Sequence, residues 1–430
     1  MRSTLQSEIR IGDLSGLANR SNGWARTLPL LGVAFCLVIY YFTVLFQVLI
    51  SFWIAIPLFD FGSLYASVYA WAHHLNPYLV YPLTYVPELP VRGLYVPAIN
   101  LNPPVSLYIF RPLAAFTPNT SWDVWATVSV CLFIASLVLV VRANPNPALR
   151  KRILLVLGMA AVWYTFELGQ IYMVLLFLTV VAWLAFRRKA FLTAGLAIGI
   201  LCALKPTFLV WPVLLILARH RKAGISALLT FASVSMVPLA FGDGVQLYRQ
   251  WAAACRGFRG FTLPSNSAIV AMLGRLDPYL GTTHHYSDMG YALTIVMLLA
   301  IAWIAFSKAP DVYRTSEIAL IVSLLAGPIS WLGYTVVLIP MLYERRLNSL
   351  MRIGWIILCI PLFSLAWIAL FSPVNFALLG SPYFYGIVLI GAPLFYELYQ
   401  KQESRLVLSE AEAPVSCHSR SFSEEVLEGS

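Results

Sequence analysis

Long apolar runs cut by short polar punctuation recur along almost the whole chain, a pattern that predicts helices crossing a bilayer. The run 30–57 predicts a first crossing, led by a polar tail (residues 1–27) that carries Arg2, Arg10, Arg20 and Arg26. No cleavable signal peptide precedes that run, so it reads as a signal anchor with the tail inside. Residues 59–121 are mixed in character, rich in Pro and Tyr and without a basic cluster. Within them "FGSLYASVYAWAHHL" puts Leu64, Val68 and Trp71 on one face, predicting a helix that lies in the interface. "PPVSLYIFRPLAAF" is apolar but too short to cross, and Arg111 interrupts it, predicting a second interfacial or re-entrant helix.

The run 122–141 then leads back to a basic stretch ending at Arg150-Lys151-Arg152. Paired runs follow. Residues 153–166 and 171–186 are joined by Glu167-Leu168-Gly169-Gln170, and 191–204 and 207–218 by Lys205-Pro206. Run 224–241 delivers a second external segment, 242–290, before 291–306 returns. Runs 318–326 and 335–343 flank "GPISWLGY", and 353–371 and 383–396 form the last pair. The total is about twelve crossings (roughly 10–13) in an all-α integral membrane protein. The membrane domain covers residues 28–397, and the polar, Glu-rich tail 398–430 is expected to be cytoplasmic and disordered.

Composition agrees with lipid as the main solvent. Of 430 residues, 60% are hydrophobic and only 11% charged, with a mean hydropathy of +0.78. Soluble domains carry about 25% charged residues. The net charge of +10 does not point to nucleic acid, because the basic residues cluster in short loops rather than on a face interleaved with exposed aromatics. The clusters Arg150-Lys151-Arg152, Arg187-Arg188-Lys189, Arg219-His220-Arg221-Lys222 and Arg345-Arg346 mark cytoplasmic loops and put both termini inside. Six cysteines occur with no CxxC pair, so neither a zinc site nor a disulfide framework is indicated.

That orientation gathers the chemistry outside. The arms 153–166 and 191–204 have about 14 residues, or about 21 Å of helix, against about 30 Å of hydrocarbon. Glu167, Gln170 and Lys205 should therefore sit below the outer surface, facing a cavity, and ionisable groups at that depth mark function. For Lys205 a second reading stays open, a lysine snorkelling beside a Pro kink. Asp60 closes the first run at the outer interface, where it is either a reactive carboxylate or the N-cap of the next helix. Arg256, Arg259 and Arg275, with His284 and His285, populate the second external segment as phosphate ligands or as contacts to anionic headgroups.

The dispersed segments resemble glycosyltransferase family 87. "DFGSLYASVYAWAHHLNPY" is similar to that family's Asp, aromatic helix and Asn-Pro-Tyr opening, with Asn76 and Tyr78 in its last positions. "ELGQIYMVLLFLTVVAWLAFRRKAFLTAGLAIGILCALKPTFLVWPVLLILARHRKA" resembles its Gly-Gln, Ala-Gly and Lys-Pro block. "NPPVSLYIFRPLAAF", "PSNSAIVAMLGRL" and "GPISWLGY", the last with Trp331, resemble further pieces. The chain departs from the family where Asn102 replaces an aromatic, Gly327 a Ser, and Gly333-Tyr334 a position usually held by His. The resemblance implies a C-type multispan fold with Asp60 as the catalytic base. It also implies a polyprenol-phosphate sugar donor, a lipid or glycan acceptor, and transfer of a hexose, mannose first among them, with inversion at the plasma membrane. Lys205, Arg111, Arg256, Arg259 or Arg275 would supply the cations for the leaving phosphate, and His284 or His285 would stand in for the missing His. No DxD sequence occurs, so no cofactor or metal is expected.

Two other classes compete. A lipid-linked glycan ligase or polymerase would use 242–290 as one large reactive loop. A transporter or flippase would show matched internal repeats, and none is evident in the sequence.

Overall fold

A computed structural model describes residues 59–81, 85–87, 95–97, 99–144, 152–241, 243–258, 262–277, 284–361 and 380–411, with single positions at 32, 35, 38, 149 and 281. The expected first crossing at 30–57 lies almost wholly outside these residues. The described chain is helical. In order, α1 (Phe59–Ala72), α2 (Val105–Phe110), α3 (Pro118–Ala143), α4 (Arg152–Gly158), α5 (Ala160–Leu168) and α6 (Tyr172–Arg187) form its first half. They are followed by α7 (Phe191–Leu204), α8 (Val210–Leu217), α9 (Arg221–Met236), α10 (Gly244–Gly257) and α11 (Ile269–Gly274). The last are α12 (His285–Lys308), α13 (Val312–Ala326), α14 (Ile339–Glu344), α15 (Ser349–Leu358) and α16 (Pro382–Ala411). One small exception to the all-α expectation is an antiparallel hairpin of β1 (Tyr85–Pro87) and β2 (Tyr95–Pro97), pairing Val86 with Val96.

Among the described residues, Pro118–Ala143, Arg221–Ala240 and His285–Lys308 are long and apolar enough to cross a bilayer. On α12, Val296, Leu299 and Trp303 are more than 60% exposed. A row of large apolar side chains facing outward on a helix of that length is what hydrocarbon rather than water accommodates. The remaining apolar helices are shorter, at 10–17 residues.

α7 and α9 lie together through small residues. A Cβ on Gly195 would stand 2.6 Å from the Ala223 carbonyl oxygen, and one on Gly199 2.5 Å from that of Ala227. Glycines four apart facing alanines four apart let two backbones touch, which replaces the missing hydrophobic drive between helices in lipid.

Several arms are broken, at the expected Lys205-Pro206 turn and also at Met159 inside the run 153–166, which was expected as one arm. α4 and α5 are separated at Met159, and Trp163 Nε1 donates to the Leu157 carbonyl at 2.6 Å beside the break. Lys205-Pro206 ends α7, and a 3₁₀ turn (Pro206–Leu209) leads into α8. Residues 332–338 run as a 3₁₀ helix into α14 rather than as one α-helix. α13 begins at Val312, earlier than the expected 318, because Asp311 accepts from the Tyr313 and Arg314 amides (both 3.1 Å) and starts the helix over polar residues. α1 also differs from expectation. Apart from Tyr69, its residues 61–70 are buried, so it is covered by its neighbours rather than lying half-exposed.

Two contacts set the direction of the central pieces. α6 begins with Tyr172 against Tyr334 (centroids 4.9 Å) and ends with Arg187 paired to Glu344 at 3.0 Å. Segment 332–344 therefore runs beside α6 in the same sense. α5 ends just before Gly169-Gln170, and α7 just before Lys205, whose ammonium lies near Tyr172, so both arrive at the Tyr172 end. The other end is held by charges. Arg152 donates to the carbonyls of Leu342, Tyr343 and Arg345 (3.1, 2.7 and 2.6 Å), closing the last turn of α14. Arg345 bridges Glu317 and Glu397.

Candidate functional site

At the Tyr172 end, Gly169 is left-handed (φ +68°), and any Cβ there would run into Phe61 and the Trp122 ring. Glycine is thus required twice, for conformation and for space. Trp125 Nε1 fixes the turn by donating to the Gly169 carbonyl at 2.8 Å. The next residue, Gln170, is thereby aimed at the first turn of α1, where its Nε2 donates to Asp60 Oδ2 at 2.5 Å. Ser63 Oγ donates to the Asp60 main-chain oxygen (2.8 Å) and leaves the carboxylate free for other work. Burial raises the Asp60 carboxyl above its ordinary value, while the Gln170 hydrogen bond and the charge of Lys205 draw it back down.

Lys205 faces this pair from the end of α7, with 8% of its surface exposed. Its ammonium lies 5.2 Å from the Tyr334 ring centroid and 5.9 Å from that of Tyr172. No hydrogen bond or ion pair reaches it among the described residues. Cys255, on α10, stands within electrostatic reach of Lys205, so the end of α10 borders the site.

The segment around Asn266 and the turn at Trp331 are one unit. Asn266 Nδ2 donates to the Pro328 carbonyl (3.0 Å), and its Oδ1 accepts from the amides of Ala268 (3.2 Å) and Ser330 (2.9 Å). Ser267 N and Leu332 N complete the pairing, to Ser330 O (2.8 Å) and Ser265 O (2.6 Å). Tyr164 of α5 lies beside Ser265, which places this unit next to the wall that carries Gln170.

Not every expected residue joins the group. Arg275, only 1% exposed, donates to the carbonyls of Thr262, Leu263 and Asn266 (3.0, 2.6 and 2.5 Å) and to Ser381 Oγ (2.6 Å). Its guanidinium holds the Asn266 loop closed. Arg111 is exposed and lies over the Trp71 ring at 5.2 Å, and Arg256 is exposed next to Cys255. Glu167 is half-buried in the last turn of α5. Asn76 Oδ1 accepts from the Tyr78 amide (2.9 Å), and Tyr78 is buried with its hydroxyl on the Asn102 carbonyl (3.2 Å). His284 and His285 are exposed at the start of α12. Arg259 lies outside the described residues. Trp331 is half-buried and packs edge-on to Phe258 (6.1 Å).

Sequence reasoning passed over Tyr164 and Tyr172 and marked Tyr334 only as a departure from the family, although all three lie within electrostatic reach of Asp60. It also passed over Asp277, which accepts from Tyr286 N (2.8 Å), Ser287 N (3.2 Å) and Ser287 Oγ (2.6 Å) and so caps α12. The available signal was position: Tyr172 follows the Gly169-Gln170 turn by two residues, and Tyr334 closes the "GPISWLGY" turn.

The family model of glycosyltransferase family 87 matches residues 100–332. A polyprenol-phosphate-mannose-dependent alpha-(1-2)-phosphatidylinositol mannoside mannosyltransferase of Mycobacterium tuberculosis is 26% identical over 286 residues, covering 58% of this chain and 65% of that relative. A polyprenol-phosphate-mannose-dependent alpha-(1-2)-phosphatidylinositol pentamannoside mannosyltransferase from another strain of that species is 23% identical over 353 residues, covering 77% of this chain and 75% of its own. This chain thus spans about two thirds of the first relative's length and three quarters of the second's. No solved structure matches.

Proposed function

Because the chain belongs to glycosyltransferase family 87, we propose that it moves a hexose, mannose first, from a polyprenol-phosphate sugar to a lipid or glycan acceptor. The observation that carries this reading is the Gln170 to Asp60 hydrogen bond with Lys205 across from it, within electrostatic reach but in no direct ion pair. A carboxylate and a free cation on facing elements supply the two charges such a displacement needs. Asp60 takes the proton from the acceptor hydroxyl as its oxygen attacks the anomeric carbon. The bond from that carbon to the phosphate oxygen breaks, and its electron pair leaves with polyprenyl phosphate, whose new charge Lys205 meets. One direct displacement inverts the sugar carbon. The names of the two relatives favour mannose and a glycolipid acceptor.

In this reading the Tyr172 end faces outward from the plasma membrane, the Arg187 end faces the cytoplasm with both termini, and about twelve helices form a C-type fold. The short broken arms, with Lys205-Pro206 and Gly169-Gln170 at their tips, support it, because irregular backbone at membrane depth is tolerated where it is buried in protein or borders a cavity. Purified protein incubated with polyprenol-phosphate-mannose and extracted lipids should yield a new mannosylated lipid by mass spectrometry. Transbilayer movement of lipid without any new glycosidic bond would instead make the chain a flippase.

A further inference from the structure

Gly333 has no positive φ, yet a Cβ placed on it would collide with the Tyr172 ring. The ring thus occupies the space of a side chain at position 333, and glycine is needed there for volume alone. Seated so, Tyr172 is wholly buried, meets Tyr334 edge to face, and lies under the Lys205 ammonium. Tyr334 is braced in turn by Phe208, at 6.0 Å between centroids, on the 3₁₀ turn that follows Lys205. The Tyr172 hydroxyl is buried without a hydrogen-bond partner, so the residue is held by its ring and not by its polar end.

Two aromatic faces attract a cation without neutralising it. A carboxylate in their place would fix the ammonium equally well but would compete with any incoming anion. We infer that Tyr172 and Tyr334 are positioning residues that hold Lys205 clear of any direct ion pair, ready for a lipid-linked phosphate, and that Gly333 is the vacancy that seats Tyr172. This rests on the phosphate reading of Lys205 given above. The rings act through the lysine and touch no reacting atom.

The test measures binding of polyprenyl phosphate, and of uncharged polyprenol as its control, to the purified full-length chain in detergent. Lys205→Met first asks whether the lysine sees phosphate. If phosphate affinity is unchanged there, the reading of Lys205 fails independently of the rings. Given a loss, Tyr334→Leu should weaken phosphate binding about 3- to 30-fold, spare polyprenol, and raise KM more than it lowers kcat. Tyr334→Phe, which keeps the ring face, should restore parent affinity. Gly333→Ala, which displaces Tyr172 by one methyl, should act in the same direction. In the Lys205→Met background neither change should weaken phosphate further. Equal losses for phosphate and polyprenol, or losses that add to that of Lys205→Met, would overturn the proposal. Tyr334→Phe tests it even if the other two variants unfold, because parent affinity with the hydroxyl gone is required and a loss there sinks it.

Discussion

Removing the Gln170 donor gives the sharpest view of Asp60. Gln170→Leu keeps a side chain of similar bulk, one bond shorter, but deletes the Nε2 group that reaches Asp60 Oδ2 at 2.5 Å. Hydrogen bonds to charged groups contribute about 1.5–3 kcal/mol. The sign follows from which form is favoured. Gln170 donates, so it stabilises the ionised carboxylate and lowers the Asp60 pKa against the larger raising effect of burial. Without it the protonated acid gains, and the base form is lost earlier as pH falls. The acid limb of the pH–rate profile should therefore move to higher pH. On that limb the rate should drop about 10- to 100-fold at fixed pH, since about 1.4 kcal/mol is tenfold. Above the limb the variant should approach the parent rate. The assay is mannosyl transfer to extracted lipid across a pH series, with thermal unfolding of the purified protein as the check on folding. A uniform fall at every pH, with the limb unmoved, would refute the argument and make Gln170 a packing residue. A limb moved to lower pH would refute the sign.

What the sequence revealed, and what it hid, follows from how local each cause is. The run 191–204 is a helix with those bounds because its stop signals, Lys189-Ala190 before and Lys205-Pro206 after, are written beside it. The convergence of Gln170 and Lys205 on one end was legible too, because alternating arms of similar length must bring alternate turns together. Gly195 and Gly199 were not singled out, because nothing local tells which backbone they meet, and that backbone belongs to α9. The start of α13 was hidden, since Glu317 looks like loop polarity until Arg345, 28 positions later, is seen to pair with it. Arg275 misled for the same reason. In a polar external segment it reads as a free cation, but whether a guanidinium is free depends on loop carbonyls, and Thr262, Leu263 and Asn266 turn theirs toward it. Tyr172 gave no sign because an aromatic in an apolar run has no local signature separating core packing from a cation platform, and Tyr334 was marked only as standing where the family usually has His. The β1–β2 hairpin was marked only by a repeated Tyr-Val-Pro, and prolines argue against strands.

Asp60→Asn should lower transfer about 10²- to 10⁴-fold, the usual range for losing a general base, while polyprenyl phosphate still binds; near-parent turnover would exclude Asp60 as the base. Gly199→Leu should force α7 from α9 against the Ala227 backbone and lower the stability of the purified protein by about 1–3 kcal/mol or more, read as a drop in its unfolding temperature; an unchanged temperature would mean that the two helices do not depend on that contact. Topology supports every functional claim, so its test must use positions whose exposure is known. Gln246 on α10 and Arg188 beyond α6 are both exposed, and α10 borders Lys205 while Arg188 adjoins the Arg187–Glu344 pair at the opposite end. In a background without native cysteines, Gln246→Cys should react with a membrane-impermeant thiol reagent in intact cells, and Arg188→Cys only after lysis. The reverse pattern would put Asp60 and Lys205 on the cytoplasmic side, where the basic clusters argue they should not be.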